Sequence, residues 1–126
     1  MASNTSVERE VLMEALPAAV WAALTEPEQL SAWFGAAAET SPDGAVTFNW
    51  DDGTVRRAVI DVFQPERLLV LRWLPFERDS AGRLVQRPVS TVVFTLTPAA
   101  GGTLLRVVET PLALPETNAL KAVARL

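Results

Sequence analysis

The sequence PAAVWAALTEPEQLSAWFG occupies residues 17–35 and carries the main helical signal of the chain. Its first half is rich in Ala and places Val20, Trp21 and Leu24 at helical spacing, which predicts a helix with one apolar face. Thr25 is a residue type that caps helices, and the proline two positions later suits the first turn of a second helix. The closing glycine suits a helix end. We therefore predict two short helices joined at Thr25.

Segments typical of β-strands lie on both sides of the helices. Residues 7–15 alternate apolar with acidic side chains, which predicts a half-buried strand. Turn sequences such as Asp51-Asp52-Gly53 separate further strand-like segments after the helices. Five strands are predicted there, at residues 46–50, 54–63, 67–74, 89–97 and 103–110. Short turns between consecutive strands imply a six-stranded antiparallel sheet. A single β-bulge between residues 54 and 74 would turn every later side chain to the other face.

The composition limits the chemistry that the chain can perform. It contains no Cys, no His and no Tyr. The absence of Cys excludes disulfides, thiol nucleophiles and zinc–thiolate sites, and the absence of His removes the commonest general base and metal ligand. Without a His partner, no Ser can belong to a catalytic triad. We therefore expect no catalytic residues, no metal site and no cofactor, and this expectation argues against an enzyme.

Length and charge favour one domain in the cytoplasm. The chain has 126 residues, 49% of them hydrophobic, which is enough to form a core. We expect a single domain over residues 1–126, with residues 1–6 disordered. These first residues lack the features of a signal peptide, and no apolar run approaches the ~20 residues of a membrane span. The net charge of −4 argues against a general nucleic-acid binder. We expect neither nucleic acid nor a membrane among its partners.

Several motifs in this sequence resemble one family. They are VWAALTEP at residues 20–27, LSAWFG at 30–35, PERL at 65–68 followed by Trp73, and GTLL at 102–105. These motifs are similar to those of the Aha-type proteins, which are named after an activator of a heat-shock-protein ATPase. That family belongs to the SRPBCC superfamily, also called START-like or birch-pollen-allergen-like. The resemblance covers about residues 7–110.

The resemblance implies an α+β helix-grip fold. In such a fold a curved antiparallel sheet, here of six strands, holds two short helices and a C-terminal helix over a cavity. The C-terminal helix would be residues 115–126, which is short for the family. Members of the superfamily bind lipids, sterols, polyketides and other apolar molecules, and some are cyclases. A chaperone partner follows from the family resemblance alone, because one fold hosts many functions.

The candidate ligand-binding residues are large apolar side chains expected between sheet and helices, together with one acid. The apolar set is Trp33, Phe34, Phe48, Trp50, Trp73 and Phe94. For each of them, plain core packing is the alternative, since one buried aromatic removes ~150–250 Å² from water. Glu109 shares strand parity with Leu105 and Val107, and the resemblance implies a polar residue facing the cavity there. The alternative for Glu109 is an ion pair with an Arg at the sheet edge.

Three functions from different classes remain open. The leading hypothesis is a domain that binds a small apolar molecule in an internal cavity between the sheet and the C-terminal helix. The second is a protein-interaction module, either a homodimer or a chaperone-linked adaptor. The third is a cyclase- or hydrolase-type enzyme acting on an apolar substrate, with Glu109 moving protons. Arg57, Arg72 and Arg106 are expected on the outer, solvated face of the sheet.

Overall fold

The computed structural model of the protein describes residues 6–111, without the side chains of Trp33 and Phe34. The C-terminal helix predicted at residues 115–126 lies outside the described residues, as do residues 1–5. Ser6, which was expected to be disordered with them, is described, and its hydroxyl shares a hydrogen bond of 3.0 Å with the Thr110 hydroxyl.

The described part of the chain is one antiparallel sheet with two helices. The strands are β1 (Val7–Met13), β2 (Ala37–Thr40), β3 (Ala45–Asn49), β4 (Val55–Gln64), β5 (Leu68–Arg78), β6 (Leu84–Gln86), β7 (Ser90–Ala99) and β8 (Gly102–Pro111). The helices are α1 (Pro17–Thr25) and α2 (Pro27–Phe34). The strand order is β1-β8-β7-β5-β4-β3-β2, and β6 pairs with β5. The predicted α+β class is confirmed.

The sheet has eight strands, so the predicted number of six is wrong. The additional strand β2 has the sequence AAET, which shows no alternation that would predict it, and it pairs with β3 so that Ala38 lies opposite Phe48. The other additional strand, β6, is only three residues long and lies between the strands predicted at residues 67–74 and 89–97. It pairs with the end of β5, which continues past Pro75 to Arg78.

The two predicted helices form, but Thr25 does not cap the second one. Its hydroxyl donates a hydrogen bond of 2.8 Å to the carbonyl oxygen of Trp21, one turn earlier in α1. The residue before α2 is Glu26, which makes no capping hydrogen bond through its side chain. Gly35 ends α2 as predicted, in a left-handed conformation with φ of 75°, and its N–H bonds to the Ser31 carbonyl.

The core lies between the two helices and one face of the sheet. Phe48 on β3 is fully buried at its centre. From Ser90 to Leu96 on β7 every second residue is buried, which is the alternation expected of a strand with one face on the core. A β-bulge interrupts β4 between Ile60 and Val62. As a result, Ile60 and Phe63 both lie on the inner face, opposite the buried Leu71 and Leu69. Phe63 is 52% exposed and packs edge-on against Trp21, with ring centres 5.1 Å apart.

The turn between β7 and β8 packs closely against the end of β1. Thr103 is fully buried, and its hydroxyl donates a hydrogen bond of 2.8 Å to the Ala15 carbonyl. The neighbouring Gly102 has a φ of 152°, and a Cβ at this position would overlap the carbonyl oxygen of Met13. Gly101 also has a positive φ, of 86°, but a Cβ there would meet open space.

We therefore expect Gly102→Ala to destabilise the protein more than Gly101→Ala. The Gly101 variant should lose about 1–2 kcal/mol, since its positive φ disfavours any side chain. The Gly102 variant should lose about 1–3 kcal/mol beyond that, because the added methyl group also has to displace the β1 backbone. Urea unfolding of both variants measures the difference. Equal losses would show that the backbone of β1 yields freely at this point.

Candidate functional site

A pocket of about 660 Å³ lies between α1 and the inner face of the sheet. Its volume is in the range of about 300–1,000 Å³ that is usual for small-molecule sites. The apolar lining residues are Met13, Val20, Ala23, Leu24, Leu71, Trp73, Val92, Phe94, Leu105 and Val107. The charged lining residues are Arg9, Arg56 and Glu109. The pocket is thus an apolar space with a few convergent charges.

Strand register brings these side chains together. Residues that lie directly opposite each other in an antiparallel pair share one face of the sheet. Phe94 on β7 is opposite Val107 on β8, and Val107 is in turn opposite Arg9 on β1. Val92 is likewise opposite Glu109. The pocket wall is therefore a continuous patch of inward-facing residues on three neighbouring strands, facing α1.

The predicted ligand-binding residues separate into two groups. Trp73, Phe94 and Glu109 line the pocket. Phe48 is fully buried in the core, with its ring centre 5.3 Å from that of Trp73. Trp50 is half-buried and packs against the core, 6.1 Å from the Phe48 ring. The side chains of the remaining two, Trp33 and Phe34, lie outside the described residues.

Glu109 is held in the pocket wall by Ser90. The Ser90 hydroxyl, which is buried, donates a hydrogen bond of 2.9 Å to Oε2 of Glu109. Between residues 6 and 111, Glu109 has no ion pair with an Arg. The hydrogen bond leaves lone pairs on the carboxylate that can accept a further donor. Glu109 can thus both accept a ligand's hydrogen bond and place a negative charge beside an apolar surface.

Arg56 is a pocket residue that the sequence analysis did not identify. Its guanidinium carbon lies 4.4 Å from the centre of the Trp73 ring, which is a cation–π arrangement. Its Nε atom is buried, and no hydrogen-bond acceptor is within reach among residues 6–111. Burial lowers the pKa of Arg56 below its usual value, whereas the charges of Glu77 and Glu109 act in the opposite direction. Arg56 stays positively charged at neutral pH.

Strand parity is the signal that could have identified Arg56. The predicted hairpin turn at residues 51–53 does join two strands, and the resulting register places Arg56 opposite Phe48. Arg56 therefore faces inward, whereas the adjacent Arg57 lies opposite Thr47 and is exposed. Two consecutive arginines at the start of a strand suggest a solvated end when they are considered without their pairing partners.

Two other features do not form a comparable site. A second hollow, of about 840 Å³, lies near the β4–β5 turn, and polar side chains alternate in its lining with prolines and leucines. On the outer face of the sheet, Arg72 pairs with Asp61 at 2.9 Å and Arg106 pairs with Glu8 at 2.7 Å. These exposed pairs contribute little to stability. Among the described residues, no cluster of three or more acidic side chains is placed to hold a metal ion.

The family comparison matches most of the chain. The family described as "Activator of Hsp90 ATPase homolog 1-like protein" matches residues 14–123. The chain belongs to this family. The resemblance to Aha-type proteins of the SRPBCC superfamily, predicted from the sequence motifs, is confirmed. This fold supports a ligand-binding kind of function. No curated protein matches the chain in sequence.

Solved structures share the helix-grip fold. The crystal structure of MLL2253 from Mesorhizobium loti is 25% identical, with a TM-score of 0.72, and the match covers 95% of this chain and 85% of that one. DynU16, a protein in the dynemicin biosynthetic locus, is 25% identical with a TM-score of 0.67, over 94% of this chain and 42% of DynU16. Ms6760 from Mycobacterium smegmatis is 23% identical with a TM-score of 0.68, over 97% and 80%. The last likeness shows the fold alone.

No helix within residues 6–111 has both the length and the apolar character needed to cross a bilayer.

Removing the Ser90 hydroxyl should measure how firmly Glu109 is held. We expect Ser90→Ala to lower the free energy of unfolding by about 1 kcal/mol, since a hydrogen bond to a partly buried carboxylate is lost. In a Glu109→Met background the same change should have little effect, because the acceptor is already gone. Urea unfolding of the two single variants and the double variant gives the coupling energy. A coupling near zero would mean that Ser90 does not position Glu109.

Proposed function

We propose that this domain binds a small, mostly apolar molecule in the pocket between α1 and the sheet. The observation that carries the proposal is the direction of the lining side chains. Apolar residues of α1, β1, β5, β7 and β8 face one shared space, and charged side chains converge on it. A few polar groups in an otherwise apolar concave surface are typical of small-molecule sites.

Apolar and polar residues of the proposed site have different roles in binding. Burial of the ligand's apolar surface supplies most of the affinity, at roughly 25 cal/mol for each Å² removed from water. The indole ring of Trp73 and the side chain of Phe94 offer flat surfaces against which an aromatic or aliphatic group can pack. Glu109 and Arg56 are the polar groups that orient the bound molecule.

The comparisons support this proposal without specifying the ligand. DynU16, one of the solved neighbours, is a protein in a biosynthetic locus. Such a setting agrees with a role that involves small molecules, although fold-level analogy alone does not assign one. Activation of an ATPase, which the family description names, stays a separate proposal that does not depend on the pocket.

Filling the pocket should abolish binding of an apolar probe. N-phenyl-naphthylamine is neutral and fluoresces strongly in apolar surroundings, so its titration reports the pocket directly. We expect Val107→Trp to raise the dissociation constant at least about tenfold, because the larger side chain occupies the lining and part of the volume. Val108→Trp, the next residue on the opposite face of β8, is the matched control and should bind like the wild type.

Probe binding that is unchanged in Val107→Trp would place the apolar surface elsewhere on the protein. Native mass spectrometry of gently purified protein gives an independent readout. Added mass on a monomer supports the proposed binding function, whereas a clean dimer without added mass supports the protein-interaction alternative.

A further inference from the structure

Within the described part of the chain, the guanidinium of Arg56 forms no ion pair, although Arg56 lines an apolar pocket. Arg56 is half-buried, but its Nε atom is fully buried and has no hydrogen-bond acceptor among residues 6–111. A buried polar group without a hydrogen bond is unfavourable. The two nearby carboxylates have other contacts, since Glu77 pairs with Arg87 at 3.2 Å and Glu109 accepts the Ser90 hydroxyl, and their charges act on Arg56 only at longer range. Within residues 6–111, neither carboxylate forms an ion pair with Arg56. The site therefore holds an unsatisfied donor where a ligand is expected.

The position of Arg56 is defined by its surroundings. Trp73 lies under the guanidinium at 4.4 Å, and this contact limits the orientations that the planar group can adopt. A guanidinium held in this way presents its N–H groups as a fork, which matches the two oxygens of a carboxylate. Val92 and Phe94 line the same pocket. They provide the apolar surface for the rest of the molecule.

We propose that the ligand is an apolar monocarboxylic acid whose carboxylate binds Arg56. This inference rests on the proposed binding function. The balance of charge favours a carboxylate over a phosphate. Among residues 6–111, the charged residues of the pocket lining are the two cations Arg9 and Arg56 and the carboxylate Glu109, so one negative charge balances this described part of the lining. A doubly charged phosphate would leave an excess negative charge facing Glu109.

Competition against bound N-phenyl-naphthylamine tests this proposal with two ligands of equal chain length. In the wild-type protein, dodecanoate should displace the dye at a concentration at least about tenfold lower than dodecanol does, since charge-assisted hydrogen bonds are roughly twice as strong as neutral ones. Arg56→Met should lose this preference while it keeps dye binding. Arg57→Met, on the outer face of the same strand, is the matched control and should retain the preference.

Two additional variants test the geometry of the site. Arg56→Lys keeps the charge but not the fork, so it should retain only part of the preference for dodecanoate. Arg9→Met removes the other cation of the pocket lining and should reduce the preference less than Arg56→Met does, because Arg9 is exposed. Circular dichroism and the dye titration itself report whether each variant is folded.

Failure of this inference and failure of the proposed function can be told apart. If the dye does not bind to the wild-type protein, the binding function itself is wrong. If the dye binds but dodecanoate and dodecanol compete equally, only the carboxylate proposal is wrong. A preference that persists in Arg56→Met, or that disappears in Arg9→Met alone, would assign the carboxylate to a residue other than Arg56.

Discussion

The limited width of the two helices is the constraint on which the rest of this structure depends. A helix with its side chains is about 10 Å wide, whereas neighbouring strands lie about 4.8 Å apart. Seven strands follow one another across this sheet, so two short helices cannot cover its whole inner face. α2 packs on β2, and α1 reaches β7 and β8. Inward residues of β2 and β3 therefore lie in the core alone, whereas inward residues of β4, β5, β7, β8 and β1 border the pocket.

The elements that could be predicted from the sequence are those with a pattern long enough to recognise. Both helices and six strands show apolar spacing over most of their length. The short strands β2 and β6 do not, because their existence depends on pairing with β3 and β5 rather than on their own residues. The β-bulge after Ile60 reverses side-chain parity within β4. No local sequence pattern predicts such a bulge. The position of Phe63 on the inner face therefore could not be predicted from the sequence.

In the candidate site too, some residues could be predicted from local sequence and others only from the tertiary structure. Phe48 and Trp73 lie on inner faces and are equally aromatic, yet only Trp73 lines the pocket. The choice between core and pocket depends on which strand lies next to the helices, and strand order is not visible in a single sequence. Glu109 could be assigned from its parity on one strand. Arg56 required the register of the β3–β4 hairpin, which places it opposite Phe48.

Arg56, which forms no ion pair within residues 6–111, links the stability of this fold to its proposed function. A stable core would favour an apolar residue opposite Phe48, since an unsatisfied buried donor destabilises the folded protein. Real proteins break such local rules mainly at functional sites. A ligand carboxylate that binds the guanidinium of Arg56 would compensate for this penalty, which is a gain in free energy that an uncharged ligand of the same shape cannot obtain. Selectivity for an acid would thus arise because the ligand supplies an acceptor for Arg56. The apolar walls of the pocket would determine only the affinity for the rest of the molecule.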